Sequence, residues 1–293
     1  MTDGSGRNHV EYDRMMPTVW ARDPEWCGFF VFVKKEPHRR RKSVTGWIHS
    51  LETMGLVDGP GVRTVVFLQG CGLRCVYCHN PDTWGAGGTP VESSELMERI
   101  LRFRPYFERS GGGVTFSGGE PLMQDAFLCE MLRLCKEHGI HTCVDTAGVG
   151  PDARWKEILR NTDLVLYDVK HEDETMYAGI TGRSMRETRA FVRAVRAGGT
   201  PMWVRHVVVP GLTDGEAHMK SLRDYVRTLP HVKRVELLPY HRLGAHKYAA
   251  MGRPYSLEGV DEMNAGRCRE LERLYFSEWN DTTNREEKTH DAL

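Results

Sequence analysis

Six short β-rich runs recur along the chain, and stretches with helical spacing separate them. The runs are Thr64–Gln69, Val114–Ser117, His141–Thr146, Asp163–Val169, Met202–Val209 and Arg234–Leu238. Helices are expected over Glu92–Phe107, Pro121–His138, Ala153–Arg160, Ser184–Ala197, Glu216–Leu229 and Gly259–Tyr275. Strands that run in the same direction in one sheet need long crossovers, usually helical. This alternation therefore predicts an α/β fold, a parallel sheet with helices outside it. The fourth and fifth runs are apolar almost throughout, as strands covered on both faces require. Six repeats fall short of the eight that close a barrel. The expected fold is a partial, open (β/α)6 TIM-like barrel with parallel strands.

In barrels of this kind the working groups sit at the C-terminal ends of the strands. Here those ends carry polar or glycine-rich residues: Gly70-Cys71, then Ser117-Gly118-Gly119-Glu120, Asp145-Thr146, Asp168-Val169-Lys170, Arg205-His206 and Tyr240-His241. One mouth would gather all six.

Residues 1–44 lack a clear period and end in a basic run from Lys34 to Lys42. They fit a solvated, disordered extension better than a docking arm. The barrel domain is expected over residues 45–278, with a polar, frayed tail over 279–293. Lys+Arg and Asp+Glu both number 40, so the near-zero net charge supplies no reason to expect nucleic acid or an anionic membrane. No apolar run reaches the ~20 residues of a membrane span. The first 25 residues, with Asp3, Glu11, Asp13 and Asp23, do not resemble a signal peptide. A cytoplasmic monomer is the expectation.

Of eight cysteines, three fall within eight residues: Cys71, Cys75 and Cys78. The spacing C-x3-C-x2-C brings three thiolates onto one tight loop, where they suit zinc or an iron–sulfur cluster. A structural zinc site wants four protein ligands, and no fourth cysteine is near; His79 directly follows Cys78 and reaches the same ion awkwardly. Three thiolates on a four-iron cluster leave one iron open to a small molecule. A zinc-stabilised barrel acting as a binding module is the competing, non-enzymatic reading. Cys129, Cys135 and Cys143 are expected to pack in the core.

The cysteine motif, with Tyr77 before its third cysteine, resembles the signature of the radical S-adenosylmethionine (SAM) superfamily. The likeness is closer to the pyruvate formate-lyase activating enzymes. Gly46–Glu52 (GWIHSLE), Val57–Arg63 (VDGPGVR), Phe67–Cys71 and Tyr77–Trp84 (YCHNPDTW) carry it first. Val114–Glu120 (VTFSGGE), Asp145-Thr146, Asp163–Lys170 (DLVLYDVK), Val204–Gly211 (VRHVVVPG) and Leu237–Gly244 (LLPYHRLG) follow in the family's order, from about Val44 to Tyr275.

The resemblance implies one [4Fe–4S] cluster on Cys71, Cys75 and Cys78, whose open iron chelates SAM. One electron then cleaves SAM, and the resulting 5′-deoxyadenosyl radical takes a hydrogen atom from a glycine of a partner enzyme. It implies that Gly118, Gly119 and Glu120 approach the SAM amino group, and that Lys170 and His241 contact its carboxylate and ribose side. Tyr77 and His79 would pack around the adenine and cluster, and Arg205 would bond SAM or the neighbouring carboxylates. Asp145, Thr146 and Asp168 resemble a monovalent-cation site, and Asp58 would help hold the partner's glycine loop or serve as a plain turn residue. The 39 residues between Cys78 and Gly118 hold no cysteine. That resembles the short, single-cluster activases and implies pyruvate formate-lyase as partner, with a flavodoxin or ferredoxin as electron donor. Another glycyl-radical partner, or a different radical SAM reaction, is the alternative.

Overall fold

The computed structural model describes residues 43–290. Apart from Ser43 and Val44, the N-terminal extension, its basic run and Cys27 lie outside the described residues, as do the last three residues of the tail.

In chain order the elements are β1 (Thr45–Gly55), β2 (Arg63–Leu68), β3 (Thr89–Glu92), α1 (Ser93–Leu101), α2 (Arg104–Ser110), β4 (Gly113–Gly118), α3 (Asp125–Glu137) and β5 (His141–Thr146). They continue as α4 (Trp155–Arg160), β6 (Leu164–Asp168), α5 (Glu174–Thr181), α6 (Arg186–Gly198), β7 (Met202–Val208), α7 (Glu216–Thr228), β8 (Val232–Pro239), α8 (Ala245–Ala250) and α9 (Ala265–His290). One sheet has the order β3-β1-β2-β4-β5-β6-β7-β8. Its pairings from β2 to β8 are all parallel, so the six expected strands stand side by side. β3 and β8 are the two edges, and the barrel is open, as expected. The apolar residues Val66, Leu68, Val114, Phe116, Val144, Val165, Val204 and Val235 are buried in one continuous core.

Two strands escaped the sequence reading. β1 pairs antiparallel with β2 and with β3. Its sequence, TGWIHSLETMG, is half exposed and loses its alternation at a register shift near Ile48–Ser50. A bulged edge ribbon of this kind gives no clean period of two.

The expected helix over Glu92–Phe107 is two helices, because Pro105 lacks an N–H and its ring collides with the preceding turn. α5 and α8 were also missed; each is a short helix of six to eight residues. The last helix starts at Ala265 rather than Gly259 and runs on to His290. It covers the open edge: Glu272 accepts from the backbone N of Leu237 at 2.8 Å, and Asn280 donates to the Val235 carbonyl at 2.9 Å. Those contacts satisfy an edge that would otherwise invite pairing with another chain. Among the described residues no helix is long and apolar enough to cross a membrane.

Candidate active site

The C-terminal ends of the parallel strands open into a cavity of about 310 Å³. The three motif cysteines, Tyr77, His79, Ser117, Gly118, Gly119 and Glu120 line its first half; Asp145, Thr146, Asp168, Lys170, Arg205 and Asp58 line the rest. Every expected site residue except His241 is on this wall. His241 stacks on His79 instead, with ring centroids 3.8 Å apart. The Nε2–H of His79 donates to the His241 carbonyl at 2.9 Å, so His241 sits behind His79. Burial, with help from His241, holds the His79 imidazole down to about 4, and it is neutral at pH 7.

The cysteine loop is pinned from two elements that the sequence reading missed. The last carbonyls of α5 accept from the loop: Arg74 N bonds Thr181 O at 2.8 Å, and Val76 N bonds Ile180 O at 3.0 Å. On the other side, the Tyr248 hydroxyl of α8 donates to the Cys78 carbonyl at 3.0 Å. Helix ends have orphan carbonyls to satisfy, and here the loop satisfies them. The sequence does carry a signal for α5. Asp173 caps its start through Met176 N, and Gly182 ends it in the left-handed conformation.

Gly118 and Gly119 serve close packing. Gly118 has φ +111°, a conformation that side chains rarely adopt. A Cβ on Gly119 would fall 2.2 Å from the Gly70 carbonyl oxygen, where the cysteine loop begins. Gly119→Ala is therefore expected to push that loop away and cut iron incorporation to well under half of wild type after anaerobic reconstitution, read by iron and sulfide assay. Glu120 is buried, and burial pushes its carboxyl up to about 7 against three donors. These are Leu122 N at 3.2 Å, Ala147 N at 2.9 Å and the Thr146 hydroxyl. Its oxygens are engaged in tying the ends of β4 and β5 together.

The acidic and basic groups alternate around the wall. Lys170 Nζ donates to Asp168 Oδ2 at 2.7 Å. Burial opposes its charge, but Asp168, Tyr77 and Cys75 together outweigh burial and hold the ammonium above its usual range. Arg205 Nη1 lies 3.3 Å from Asp145 Oδ1, and Ser117 donates to Asp145 Oδ2 at 2.6 Å. Burial still pushes the Asp145 carboxyl up. The three residues read as a cation site thus share their oxygens with Arg205, Lys170, Ser117 and Glu120. Burial also raises the Asp58 carboxyl, against Arg205 and then Arg63.

Two observations test whether the wall suits a cluster and a polar ligand. Burial pushes the Cys71 and Cys75 thiols up to about 12, and Cys78 upward too. Thiolates there need a bound cation to neutralise them, which iron supplies. In addition, Tyr77 Oη, Asp145 Oδ1 and Arg205 Nε are buried without a hydrogen-bond partner. Buried polar atoms are normally satisfied, so a site with several orphans fits a polar ligand. No fourth cysteine among the described residues lines the cavity, and Cys129, Cys135 and Cys143 are buried elsewhere.

The radical SAM superfamily model matches residues 65–222. A pyruvate formate-lyase-activating enzyme of Clostridium pasteurianum is 53% identical over 231 residues, covering 78% of this chain and 97% of that one. The chain belongs to this family of radical SAM activating enzymes. A second member, from Staphylococcus epidermidis, is 45% identical over 224 residues, covering 74% of this chain and 89% of its own. Two solved structures agree in fold alone. Streptococcus suis SuiB bound to S-adenosylmethionine has a TM-score of 0.54 at 16% identity, over 72% of this chain and 46% of that chain. A radical SAM methyltransferase from Sphaerobacter thermophilus has the same score and identity, over 73% and 63%.

As a radical SAM protein, the chain uses a [4Fe–4S] cluster and SAM, and the three thiols and the charged, polar wall beside them fit both groups. Arg63 and Trp84 lie within the motifs that carry the resemblance, yet no role came with them. Trp84 is on the cavity wall, with the Arg74 guanidinium 5.0 Å from its ring.

Proposed function

We propose that this chain activates pyruvate formate-lyase by generating a radical on one of that enzyme's glycines. The observation that carries the reading is the meeting of three thiols on one loop, Cys75 buried and Cys71 and Cys78 half-buried, and no fourth among the described residues, with a charged, polar wall. The names of the relatives support the choice of partner. Three thiolates would hold the cluster and leave one iron for SAM; a closed zinc site would need a fourth ligand.

When bound, the cluster and SAM supply the electron and the radical chemistry. The protein's own groups orient and shield. Lys170 and Arg205 present positive charge to a carboxylate. Gly118 and Gly119 shape the floor beside Cys71, and Glu120 holds that floor to the end of β5. Tyr77 and His79 border the cysteines, with His241 supporting His79 from behind. Asp58, on the loop before β2, faces the mouth where a glycine-bearing segment would enter. Asp145, Thr146 and Asp168 would serve a monovalent cation if it displaced Arg205 or Lys170 from their oxygens. A flavodoxin or ferredoxin would deliver the electron to a monomeric, cytoplasmic activase.

The deciding experiment combines reduced protein, SAM and pyruvate formate-lyase without oxygen. A glycyl doublet in the EPR spectrum is expected. SAM cleavage with no doublet on pyruvate formate-lyase, but one on another glycyl-radical enzyme, would move the partner and leave the chemistry standing.

Lys170→Ala should separate binding from cluster assembly. Iron content is expected to stay at wild-type level. A charged hydrogen bond is worth about 1.5–3 kcal/mol, so SAM affinity should fall about 10- to 100-fold, measured by isothermal titration under anaerobic conditions. Unchanged affinity would remove Lys170 from the SAM site.

A further inference from the structure

A second group of ligand-type side chains lies on the other side of the strand ends. Lys170 and Arg205 line the cavity, but the residues that follow them, His171 and His206, do not. They meet Glu172 and His218, the latter in the first turn of α7. The rings of His171 and His218 are 4.5 Å apart, and those of His206 and His218 are 5.0 Å apart. One ligand atom each from His171, Glu172 and His218 falls within 4.8 Å of the others.

The protons of this group can be assigned in sequence. His206 Nδ1 is 2.7 Å from the Val169 carbonyl, which can only accept. Nδ1 therefore carries the proton, and Nε2 of the neutral ring is a lone pair. Burial, followed by His218, keeps His206 neutral by holding it down to about 3. His206 Nε2 lies 3.0 Å from His218 Nε2, so the proton between them belongs to His218. In a neutral His218 that leaves Nδ1 as a lone pair. It is buried without a hydrogen bond, 3.4 Å from Glu172 Oε1. Glu172 Oε2 also lacks a hydrogen bond and lies 3.3 Å from His171 Nδ1, which accepts from the Asp173 backbone N–H at 3.0 Å and would have to release it to meet a metal. The side chains of Glu172 and His218 are each 10% exposed. The unpartnered atoms of Glu172 and His218 thus face each other in one small, nearly buried volume with His171 beside them, an arrangement that a cation relieves.

We propose that His171, Glu172 and His218 bind a divalent transition ion of the zinc class. Imidazole nitrogens with a carboxylate are a borderline donor set that suits zinc. The chain from the Val169 carbonyl through His206 to His218 is the outer support that fixes which nitrogen faces the metal. The ion would tie the loop after β6 to the start of α7. It would thereby steady the strand ends that present Asp168, Lys170 and Arg205 on the cavity side. A single proton on His218, paired with Glu172, is the competing occupant.

The test uses the cluster-loaded protein, so that the three motif cysteines are already engaged. The holoprotein is stripped of loose metal, given one equivalent of zinc chloride and desalted without oxygen; zinc and iron are then counted. One zinc per chain is expected, with zinc-edge X-ray absorption showing only nitrogen and oxygen neighbours and an imidazole pattern. His218→Ala and the size-conserving Glu172→Gln should each lower retained zinc at least about tenfold with iron unchanged. Unchanged iron also reports that each variant has folded. Failure of the wild type to retain zinc would overturn the site in favour of the proton. Sulfur neighbours, or zinc retention unchanged in both variants, would overturn it too.

Discussion

Cys75→Ala is expected to yield a folded chain that assembles no [4Fe–4S] cluster and cleaves no SAM. Cys75 is buried at the centre of the loop, with Cys71, Cys78 and the Lys170 ammonium as its electrostatic neighbours. Two remaining thiolates cannot hold three corners of a cluster, and no other cysteine among the described residues lines the cavity. The backbone should survive, because the bonds from Arg74 N and Val76 N to α5 do not involve the lost sulfur. After anaerobic reconstitution the variant should be colourless, lack the reduced-cluster EPR signal and produce no 5′-deoxyadenosine. Cys129→Ser, on α3 and away from the cavity, should stay brown. Wild-type iron content in Cys75→Ala would show that another residue serves as the third ligand.

Arg63→Leu should give the largest loss of stability among single changes near the site. Arg63 is 0% exposed. Its Nε donates to Thr115 Oγ1 at 2.6 Å, Nη1 to the Pro60 carbonyl at 2.9 Å and Nη2 to the Val114 carbonyl at 2.6 Å. Thr115 Oγ1 in turn donates to the Asp58 carbonyl at 2.6 Å, so the loop carrying Asp58 hangs on this one guanidinium. Burial lowers the Arg63 pKa, with Cys143 and then Asp58 opposing, and leucine relieves that desolvation. Leucine also takes the donor from two buried acceptors, Thr115 Oγ1 and the Val114 carbonyl, at about 1–3 kcal/mol each, and from the part-buried Pro60 carbonyl. A net loss of about 3 kcal/mol corresponds to a melting temperature lower by roughly 6–12 °C for a domain of this size. Arg63→Lys keeps the charge but not the fork, and should fall between the two. A shift of less than about 2 °C for Arg63→Leu would mean that the network contributes little.

The cysteine triad and Arg63 differ in how visible they are from the chain alone. The triad of cysteines announced itself, because ligand type and spacing within eight residues are local facts. The same holds for β2, β4, β6 and β7, whose apolar runs reflect burial on both faces. Arg63 was different. A lone arginine at the start of a strand reads as surface charge until the neighbouring strand supplies Thr115 and Val114 as partners. His241 went the other way. It stands at a strand end, as a site residue should, and yet it stacks behind His79 rather than on the wall.

Local chemistry thus settled the fold class and the family and singled out the candidate cluster ligands, since each depends on residues close in the chain or on runs of one periodicity. Tertiary packing alone decided what supports the loop and how the wall is charged. α5 and α8 hold the cysteine loop, Arg205 meets Asp145 across two strands, and His218 comes 46 positions after Glu172 to face it. The physical reason is the parallel crossover. It sets side by side residues that are tens of positions apart, and no short-range pattern in a chain records which of them will touch.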